Sequence, residues 1–431
     1  MRSGRFSRLR AVAMALSPCL RGGVCPAQAF LTLTLRTRSG RARYLGAAVA
    51  AADLEQLKIV FSDVDGALIH YPKGQGEDVS PVDPANHILT LPPSATGMTG
   101  VISSLTLQSC RALREAGVKL VLVSGMRTST LLNRLPYLPR ADAYCPEAGG
   151  RIFYPTEPPL AEDEADADFQ PVWTPADFVG ATAADLRPFG LREDRAWRKS
   201  VGAAGGAGKD GYAGNEISSD RLCDAEDEEE ECLIDYDNAS GFPRQEEVIP
   251  LAQRRGALWD FARRLQDHHG LVLDTKSYST CFRVNRKHQV GGPGGEGQFG
   301  ALLGGAILVP PELAISTNLG CIDVYPASSG KRNCCQFLAD ALEHSLAQES
   351  VCICDDDNDL EMALACAHAY IPALTSKSMV RCIRENPRQF TQTVQEGAVE
   401  GTAATEAALR LIRTSHYQRK RRQEILDDSF T

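Results

Sequence analysis

The sequence predicts an α/β fold: a doubly wound, Rossmann-like core with a parallel sheet, into which an α+β domain is inserted. Two stretches of the chain, one toward each end, alternate short apolar runs of strand length with amphipathic helical segments. Such a strand–helix–strand order favours a parallel sheet joined by right-handed crossovers. The region between the two stretches contains acidic and glycine-rich runs, which indicates an insertion rather than more of the same sheet.

The first half of the core begins with the apolar run Leu57–Phe61, which predicts a buried strand. A helix is predicted over Ser103–Glu115, and Gly117 ends it because glycine readily takes the left-handed conformation of a helix terminus. The run Val118–Val123 predicts the next strand, and a short helix over Ser129–Leu135 follows it directly. These elements supply one half of the doubly wound sheet.

The second half repeats the same alternation. A helix over Lys331–Glu343 leads into a strand over Ser350–Cys354. A helix over Leu360–Ala367 and a strand over Ala369–Ile371 complete another crossover. The segment Gly401–Ile412 has the spacing of an amphipathic helix. The sheet therefore continues on the other side of the insertion.

The middle of the chain divides into ordered and acidic parts. The runs Glu162–Asp168 and Asp224–Glu231 predict disordered insertions over about residues 157–250, because they hold too few apolar residues to build a core. Order returns with a helix over Arg254–Leu265 and a strand over Leu271–Asp274. The predicted domains are a core over residues 53–150 and 326–415, a cap over residues 151–325 and a C-terminal tail over residues 416–431.

Composition excludes several classes of protein. The chain has 431 residues with 43% hydrophobic and 23% charged residues, the ordinary balance of a globular protein. No apolar stretch reaches the roughly 18 residues that would predict a membrane span. The formal net charge is −9, and a body this acidic is a poor ligand for nucleic acid or an anionic membrane. We expect neither as a partner, and the sequence does not indicate a protein partner.

The first 52 residues differ from the rest of the chain. They contain nine arginines but no lysine or acidic residue, so residues 53–431 alone carry a net charge of −18, from 37 basic and 55 acidic residues. An arginine-rich leader without acidic residues is typical of an organellar transit peptide. We therefore expect residues 1–52 to be a targeting leader to the plastid, with the mitochondrion or the cytoplasm as the alternative.

Chemically capable side chains follow the predicted strands at the points where they end. Asp63 and Asp65 follow the first strand one residue apart, so both can face the same volume beyond it. This is the edge where open α/β sheets bind ligands. The pair alone also fits a calcium loop or a plain turn. The residues that join it in the same context are Ser124, Gly125, Lys331, Asp355, Asn358 and Asp359.

Together these motifs resemble the haloacid-dehalogenase superfamily of phosphotransferases. The segment Asp63–Ala67 is similar to the motif D-x-D-G-[TV], Ser124 to the Ser/Thr of the second motif, and Lys331 to the third. Cys354–Asp359 is similar to the fourth motif, G-D-x-x-N-D. The long insertion between the second and third motifs resembles the subgroup of Cof-type and sucrose-phosphate phosphatases. Within it, the sequence looks most similar to a set of plant and algal hydrolases.

The resemblance implies a role for each residue. Asp63 would be the nucleophile and Asp65 the general acid and base, with Lys331 as the third catalytic residue. Mg²⁺ would be held by Asp63, the backbone carbonyl of Asp65 and Asp355, and Asp359 would hold a metal-bound water. The substrate-binding residues implied in the same way are Ser124, Gly125, Arg127 and Asn358.

Two positions depart from the family pattern, and three functions stay open. Ala67 replaces the usual Thr or Val, and Cys354 replaces the usual Gly, but neither change removes a catalytic group. The resemblance implies a Mg²⁺-dependent phosphatase acting on a small phosphorylated metabolite, such as a sugar phosphate. A phosphomutase on the same fold is the first alternative. A non-catalytic sensor or scaffold is the second, although such a protein has no need of Asp65.

Overall fold

A computed structural model of the chain describes residues 57–71, 82–83, 88–91, 99–156, 190–204, 236–237, 242–243, 250–289, 295–318, 320–393 and 401–429. The leader predicted over residues 1–52 lies outside the described residues. Most of the insertion predicted over residues 157–250 does so as well. Both therefore stay predictions. Among the described helices, none combines the length and the apolar composition that a membrane crossing requires.

The secondary structure follows the alternation that the sequence predicts. The strands are β1 Ile59–Ser62, β2 Val82–Asp83, β3 Ile88–Thr90, β4 Val101–Ser103, β5 Lys119–Val123, β6 Ala143–Cys145, β7 Phe153–Thr156, β8 Gly190–Glu193, β9 Tyr236–Asp237, β10 Phe242–Pro243, β11 Leu273–Asp274, β12 Phe282–Asn285, β13 Leu313–Asn318, β14 Cys321–Pro326, β15 Ser350–Ile353, β16 His368–Ile371 and β17 Phe390–Gln392. The helices are α1 Ser104–Glu115, α2 Thr128–Arg134, α3 Arg195–Ala204, α4 Ala257–His269, α5 Gly295–Leu303, α6 Lys331–Ala341, α7 Leu346–Glu349, α8 Leu360–Ala365, α9 Lys377–Glu385 and α10 Gly401–Ser429.

The central sheet has the order β17-β16-β15-β1-β5-β6-β7-β8. The strands from β17 to β6 pair in parallel, whereas β7 and β8 add antiparallel strands at one edge. β5 and β6 extend the sheet on one side of β1, and β15, β16 and β17 extend it on the other. This arrangement confirms the predicted doubly wound core and puts its switch point beside β1.

Helices cover both faces of this sheet, and alternate residues of β1 pack against each layer. Val60 belongs to the apolar cluster that includes Leu113 of α1 and Leu409 of α10. Ile59 and Phe61 belong to the opposite cluster, which contains residues of α3, α6, α8 and α9. Because neighbouring side chains of a strand face opposite ways, an apolar run such as Leu57–Phe61 can be buried on both sides. Its length and composition therefore suit a central strand.

A second, four-stranded antiparallel sheet forms the inserted domain, with the order β11-β12-β14-β13. Helices α4 and α5 pack on it through a separate apolar cluster that includes Trp259, Phe282 and Leu302. In the chain these elements lie between β8 and α6 of the core, so the fold is an α/β core with an inserted α+β domain. The predicted fold class is confirmed.

Three regions of the structure differ from the sequence prediction. β7 and β8 fall within the range 151–325 expected to be the cap, yet they extend the central sheet. α3 lies inside the predicted insertion over residues 157–250, and it buries Trp197 and Val201 against the core. A hydrogen bond from Trp197 Nε1 to the carbonyl oxygen of Gly149, 3.0 Å long, holds it there. At the other end of the chain, α10 continues through most of the predicted tail.

Candidate active site

The register of the central sheet brings the motif residues to one edge. Ser62 at the end of β1 pairs with Leu122 of β5 on one side and Ile353 of β15 on the other. Asp63 follows immediately, and its backbone N–H donates to the carbonyl oxygen of Ile353 across 2.9 Å. Ser124 and Asp355 each lie two residues beyond the paired positions. The predicted meeting of these residues at the carboxyl edge is therefore present in the structure.

Three buried carboxylates converge at this edge. Asp63, Asp355 and Asp359 each offer one oxygen, and these oxygens lie within 4.8 Å of one another. We call these three residues the acidic edge. No hydrogen-bond donor among the described residues reaches either oxygen of Asp355, and Oδ1 of Asn358 beside them also lacks one. Buried polar atoms almost always have partners, so these oxygens are suited to a bound cation.

The charges at this edge act on the pKa of its members. Burial and the neighbouring charge of Asp359 raise the pKa of Asp63, although Lys331 opposes the shift. Burial also raises the pKa of Asp355, as do Asp63 and Asp359. Carboxylates that share a site repel each other when ionised, and a divalent cation removes this repulsion. Clustered oxygen ligands of this kind fit Mg²⁺, a hard cation that prefers carboxylates.

Lys331 is the cation that the structure itself supplies. Its Nζ lies 2.9 Å from Oδ1 of Asp63 and donates to Oδ1 of Asp359 across 2.6 Å. The residue is buried. Burial opposes the charged form, but the attraction of Asp359 and Asp63 outweighs it and raises the pKa of Lys331. The ammonium therefore stays charged next to the predicted nucleophile.

The position directly after the second aspartate of the motif, Gly66, requires a glycine. Its φ is +87°, and a Cβ atom at this position would lie 2.1 Å from Oδ2 of Asp355. Any larger residue here would displace the Asp355 carboxylate. The glycine thus serves two purposes, the turn after β1 and the close approach of a motif that lies almost 300 residues later in the chain.

Ser124 and Gly125 follow β5, the strand that pairs with β1 on one side of Asp63. Ser124 is buried, and its Oγ accepts a hydrogen bond from the backbone N–H of Met126 across 3.2 Å. A Cβ on Gly125 would lie 2.6 Å from Nδ2 of Asn318 in β13, so the inserted domain closely approaches this turn. Arg127, expected to bind the substrate, pairs with Asp274 of β11 and lies over the ring of Tyr278. In this structure it joins the core to the cap.

Polar residues of the cap cover the site. Arg283 of β12 makes two hydrogen bonds to Asp323 of β14, and its Nη2 also donates to the carbonyl oxygen of Gly125 across 3.2 Å. Thr317 of β13 donates from its hydroxyl to Oδ2 of Asp357, 2.8 Å away in the loop of the acidic edge. Both cap contacts are made to the core loops that carry the motif residues.

Glu147 ties the core to the segment that enters the cap sheet. It is completely buried, and its Oε1 accepts from the hydroxyl of Thr128 across 2.7 Å. Its Oε2 accepts from the backbone N–H groups of Ser279 and Thr280, at 2.8 and 2.7 Å, and from the Thr280 hydroxyl at 2.8 Å. We call Glu147 with these three partners the Glu147 clamp. It leaves no oxygen of the carboxylate without a donor.

Asp65 has partners that the motifs do not indicate. Its Oδ1 accepts hydrogen bonds from the hydroxyl of Tyr71 and from Nη1 of Arg134. Sequence reasoning missed both residues. The only available signal was a cation among the leucines Leu131, Leu132 and Leu135, a position where helices usually carry apolar side chains. Asn358, expected to bind the substrate, lies in the short 3-10 helix Asp357–Asp359 that follows β15.

Comparisons with known proteins give structural likenesses only. No family model and no curated protein matches the chain. The sucrose-phosphatase from Synechocystis, solved with sucrose and phosphate, is 11% identical with a TM-score of 0.41, over 83% of this chain and 98% of its own. A HAD-superfamily phosphatase from Bacteroides thetaiotaomicron is 13% identical with a TM-score of 0.36, over 86% and 98%. A HAD subclass IIB sugar phosphatase is 15% identical with a TM-score of 0.34, over 82% and 99%.

The second and third of these structures carry the name of the superfamily whose motifs the sequence resembles, and the first is a sucrose phosphatase, as in the predicted subgroup. The likeness to a plant and algal set stays a prediction. Identities and TM-scores this low say nothing about the chemistry of this site.

Proposed function

We propose that the protein is a Mg²⁺-dependent phosphatase that hydrolyses a small phosphate monoester. The observation that carries this proposal is the acidic edge beside the Asp63–Lys331 pair, where both oxygens of Asp355 are buried and no donor from the described part of the chain reaches them. A protein that does not bind a cation here would gain nothing from burying three clustered carboxylates, of which Asp355 has both oxygens without a donor among the described residues, because such groups destabilise the fold. Phosphoryl transfer uses this combination of carboxylates, a metal ion and a fixed ammonium.

The residues would act in two steps. In the first, an oxygen of Asp63 attacks phosphorus, the bond from phosphorus to the ester oxygen breaks, and Asp65 gives its proton to the leaving oxygen. In the second, Asp65 takes a proton from water as the water oxygen attacks the phosphorus, and the bond to Asp63 breaks. Inorganic phosphate leaves, and both carboxyl groups return to their starting protonation states. The presence of a second acid at Asp65, which can protonate the leaving oxygen, favours phosphate esters as substrates.

The remaining residues would bind and neutralise the phosphoryl group. Lys331, the Ser124 hydroxyl and the amide groups near Gly125 would contact its oxygens as negative charge develops. Asp63, Asp355, the backbone carbonyl of Asp65 and, through water, Asp359 would hold Mg²⁺. When bound, Mg²⁺ would neutralise phosphoryl charge and orient the group for in-line attack.

A sugar phosphate is the substrate class that the cap favours. Asn318, Arg283 and Asp323 lie over Gly125 and offer amide, guanidinium and carboxylate groups to the volume that a leaving group would enter. The segment Lys276–Arg286, which contains Arg283, also carries several hydroxyl groups. Hydroxyl groups of a sugar can form further hydrogen bonds with these polar groups, whereas an apolar alcohol cannot.

The test is hydrolysis of p-nitrophenyl phosphate with Mg²⁺, with EDTA, and by the Asp63→Asn variant, followed by a panel of sugar phosphates. We expect release of phosphate that EDTA abolishes and that the variant lacks. Full activity in Asp63→Asn would show that another group attacks phosphorus. Conversion of one sugar phosphate into an isomer would favour the phosphomutase, and inactivity on every compound would favour the sensor or scaffold.

The leader supports a plastid location for this activity, through its nine arginines and its lack of acidic residues over residues 1–52. Sequencing the N-terminus of the protein isolated from cells would test this. A mature chain that begins near residue 53 supports an imported enzyme, and one that begins at residue 1 contradicts it.

A further inference from the structure

Asp65, Tyr71 and Arg134 form a closed set of hydrogen bonds at the edge of the candidate site. The Tyr71 hydroxyl donates to Oδ1 of Asp65 across 2.5 Å, and Nη1 of Arg134 donates to the same oxygen across 2.7 Å. Nη2 of Arg134 also donates to the hydroxyl oxygen of Tyr71 across 2.9 Å. The Arg134 guanidinium lies 5.9 Å from the centre of the Tyr71 ring. We call these three residues the Asp65 anchor.

The fold brings the anchor together from two directions. After Asp65 the chain turns back on itself, because the N–H of Gly66 donates to the carbonyl oxygen of Ile69 across 2.7 Å. This turn returns Tyr71 to the side of Asp65. Arg134 comes from the last turn of α2, the helix that follows the Ser124–Gly125 turn. Both loops that carry the predicted chemistry therefore contribute to the anchor.

Packing alone does not explain Arg134. Its side chain is only 2% exposed, and the leucines on either side of it along the helix are buried too. Replacing a buried ion pair with apolar residues is often neutral or stabilising, so a charge in this place adds little to stability. Two short hydrogen bonds that meet at Asp65 point to a role in fixing the position of that carboxylate.

Both donors of the anchor use the same oxygen. Asp65 retains 24% side-chain exposure, and both hydrogen bonds that it accepts from the described residues end on Oδ1 and leave Oδ2 open. We propose that Arg134 and Tyr71 are positioning residues that fix Asp65 through Oδ1 and reserve Oδ2 for proton transfer, a role that rests on the proposed phosphatase function. Oδ2 then gives its proton to the ester oxygen as the bond to phosphorus breaks, and it takes a proton from water in the second step.

If Tyr71 and Arg134 position Asp65, their loss should slow the reaction only where the leaving group needs a proton. Proton transfer by a positioned side chain contributes about 10²- to 10⁴-fold to a rate, and a loosely held carboxylate loses part of this. A leaving group such as p-nitrophenolate departs without a proton, whereas phenolate is a poorer leaving group and needs one. Removing the anchor should therefore slow the first step more for phenyl phosphate than for p-nitrophenyl phosphate.

The experiment is a rapid-quench measurement of the alcohol released in the first turnover, phenol from phenyl phosphate and p-nitrophenol from p-nitrophenyl phosphate. It compares wild type with Tyr71→Phe, Arg134→Met and Arg134→Lys. We expect the first-step rate of Tyr71→Phe and Arg134→Met to fall at least tenfold with phenyl phosphate and less than threefold with p-nitrophenyl phosphate. Arg134→Lys should recover part of the loss. Tyr71→Phe removes a single oxygen, so the test stands even where Arg134→Met folds poorly.

Two control variants separate positioning from structure. Arg254 is another buried arginine, stacked on Trp259 in the cap, and Arg254→Met should not change the ratio of the two first-step rates. Asp65→Asn should show the selective defect in full. If Asp65→Asn shows it but both anchor variants slow the two esters equally or not at all, the anchor has no positioning role and the proposed function stands. If wild type releases neither phenol nor p-nitrophenol, the proposed function fails, and the anchor's role fails with it.

Discussion

Glu147 and Asp355 are carboxylates buried to the same degree, yet their surroundings are opposite. Glu147 has hydrogen-bond donors on both oxygens, supplied by Thr128, Ser279 and Thr280. Asp355 has none on either oxygen among the described residues, and it faces two further carboxylates instead. Burial alone therefore does not mark a functional acid. The missing donors do, because a fold that only needed stability would have satisfied Asp355 as it satisfies Glu147.

Replacing Asp355 should give the largest effect. In Asp355→Asn we expect kcat/KM for p-nitrophenyl phosphate to fall about 10³-fold, or about 4 kcal/mol, because a metal ligand and its charge are lost. Urea unfolding should show equal or greater stability, since the change removes one of three buried charges that repel each other. A variant that loses stability but keeps its activity would reverse the contrast with Glu147.

Glu147→Gln should behave in the opposite way. The amide cannot accept all the hydrogen bonds of the clamp, and we expect the free energy of unfolding to drop by about 3 kcal/mol. Below the unfolding transition, kcat should stay within tenfold of wild type. Glu115→Gln is the matched control, because this side chain is 69% exposed, and it should change stability by less than about 0.5 kcal/mol. A kcat loss as large as that of Asp355→Asn would place Glu147 in the chemistry.

Magnesium sharpens the comparison without any assay of turnover. At a concentration 100 times its dissociation constant, Mg²⁺ should raise the free energy of unfolding of the wild type by about 2.7 kcal/mol. Glu147→Gln should show the same increase, although from a lower starting stability, and Asp355→Asn should show almost none. Thermal unfolding with and without Mg²⁺ measures the stabilisation of wild type and of both variants. An equal increase in Asp355→Asn would place the ion elsewhere.

His70 extends the comparison to a buried base. It is held near Thr405 of α10 at 2.8 Å, and burial lowers its pKa from 6.5 to about 4, with a smaller opposing contribution from the Ala67 carbonyl. Between these values the unfolded state binds more protons, so stability falls as the pH falls from 6.5 toward 4. From pH 7 to pH 5 the loss due to His70 should be about 2 kcal/mol.

Urea unfolding of wild type and His70→Gln at both pH values measures this contribution as a difference. The raised pKa values of Asp63 and Asp355 act in the opposite direction as the pH falls, but they are common to both proteins and cancel. The variant should lose about 2 kcal/mol less than wild type over this range. The same pH dependence in both proteins would show that His70 does not titrate in this way.

Much of the fold could be predicted because it depends on local pattern. Runs such as Leu57–Phe61 and Val118–Val123 have the length and apolar content of buried strands, and parallel strands deliver their carboxyl ends to one edge. This is why Asp63, Ser124 and Asp355 could be placed together from the sequence. β8 and α3 were not predicted, since acidic and glycine-rich runs on both sides of them hide a short amphipathic segment.

The partners of the site residues could not be predicted in the same way. Arg134 lies 69 residues from Asp65, Asp274 lies 147 from Arg127, and Ser279 lies 132 from Glu147. No local preference couples positions this far apart, and each pairing depends on where the cap and the core loops meet. The sequence indicated that Arg127 would bind substrate, for example, but not that Asp274 and Tyr278 would come to it from the cap.

The sequence by itself thus determined the fold class and the identity of the carboxylates at the end of each strand, because strand periodicity and turn chemistry act over a few residues. Only the tertiary structure decided which of these carboxylates have hydrogen-bond donors and which lack them. Desolvation and hydrogen bonding depend on everything packed around an atom. For this reason Glu147, Asp65 and Asp355, three acids of similar appearance in the sequence, have three different environments in the folded protein.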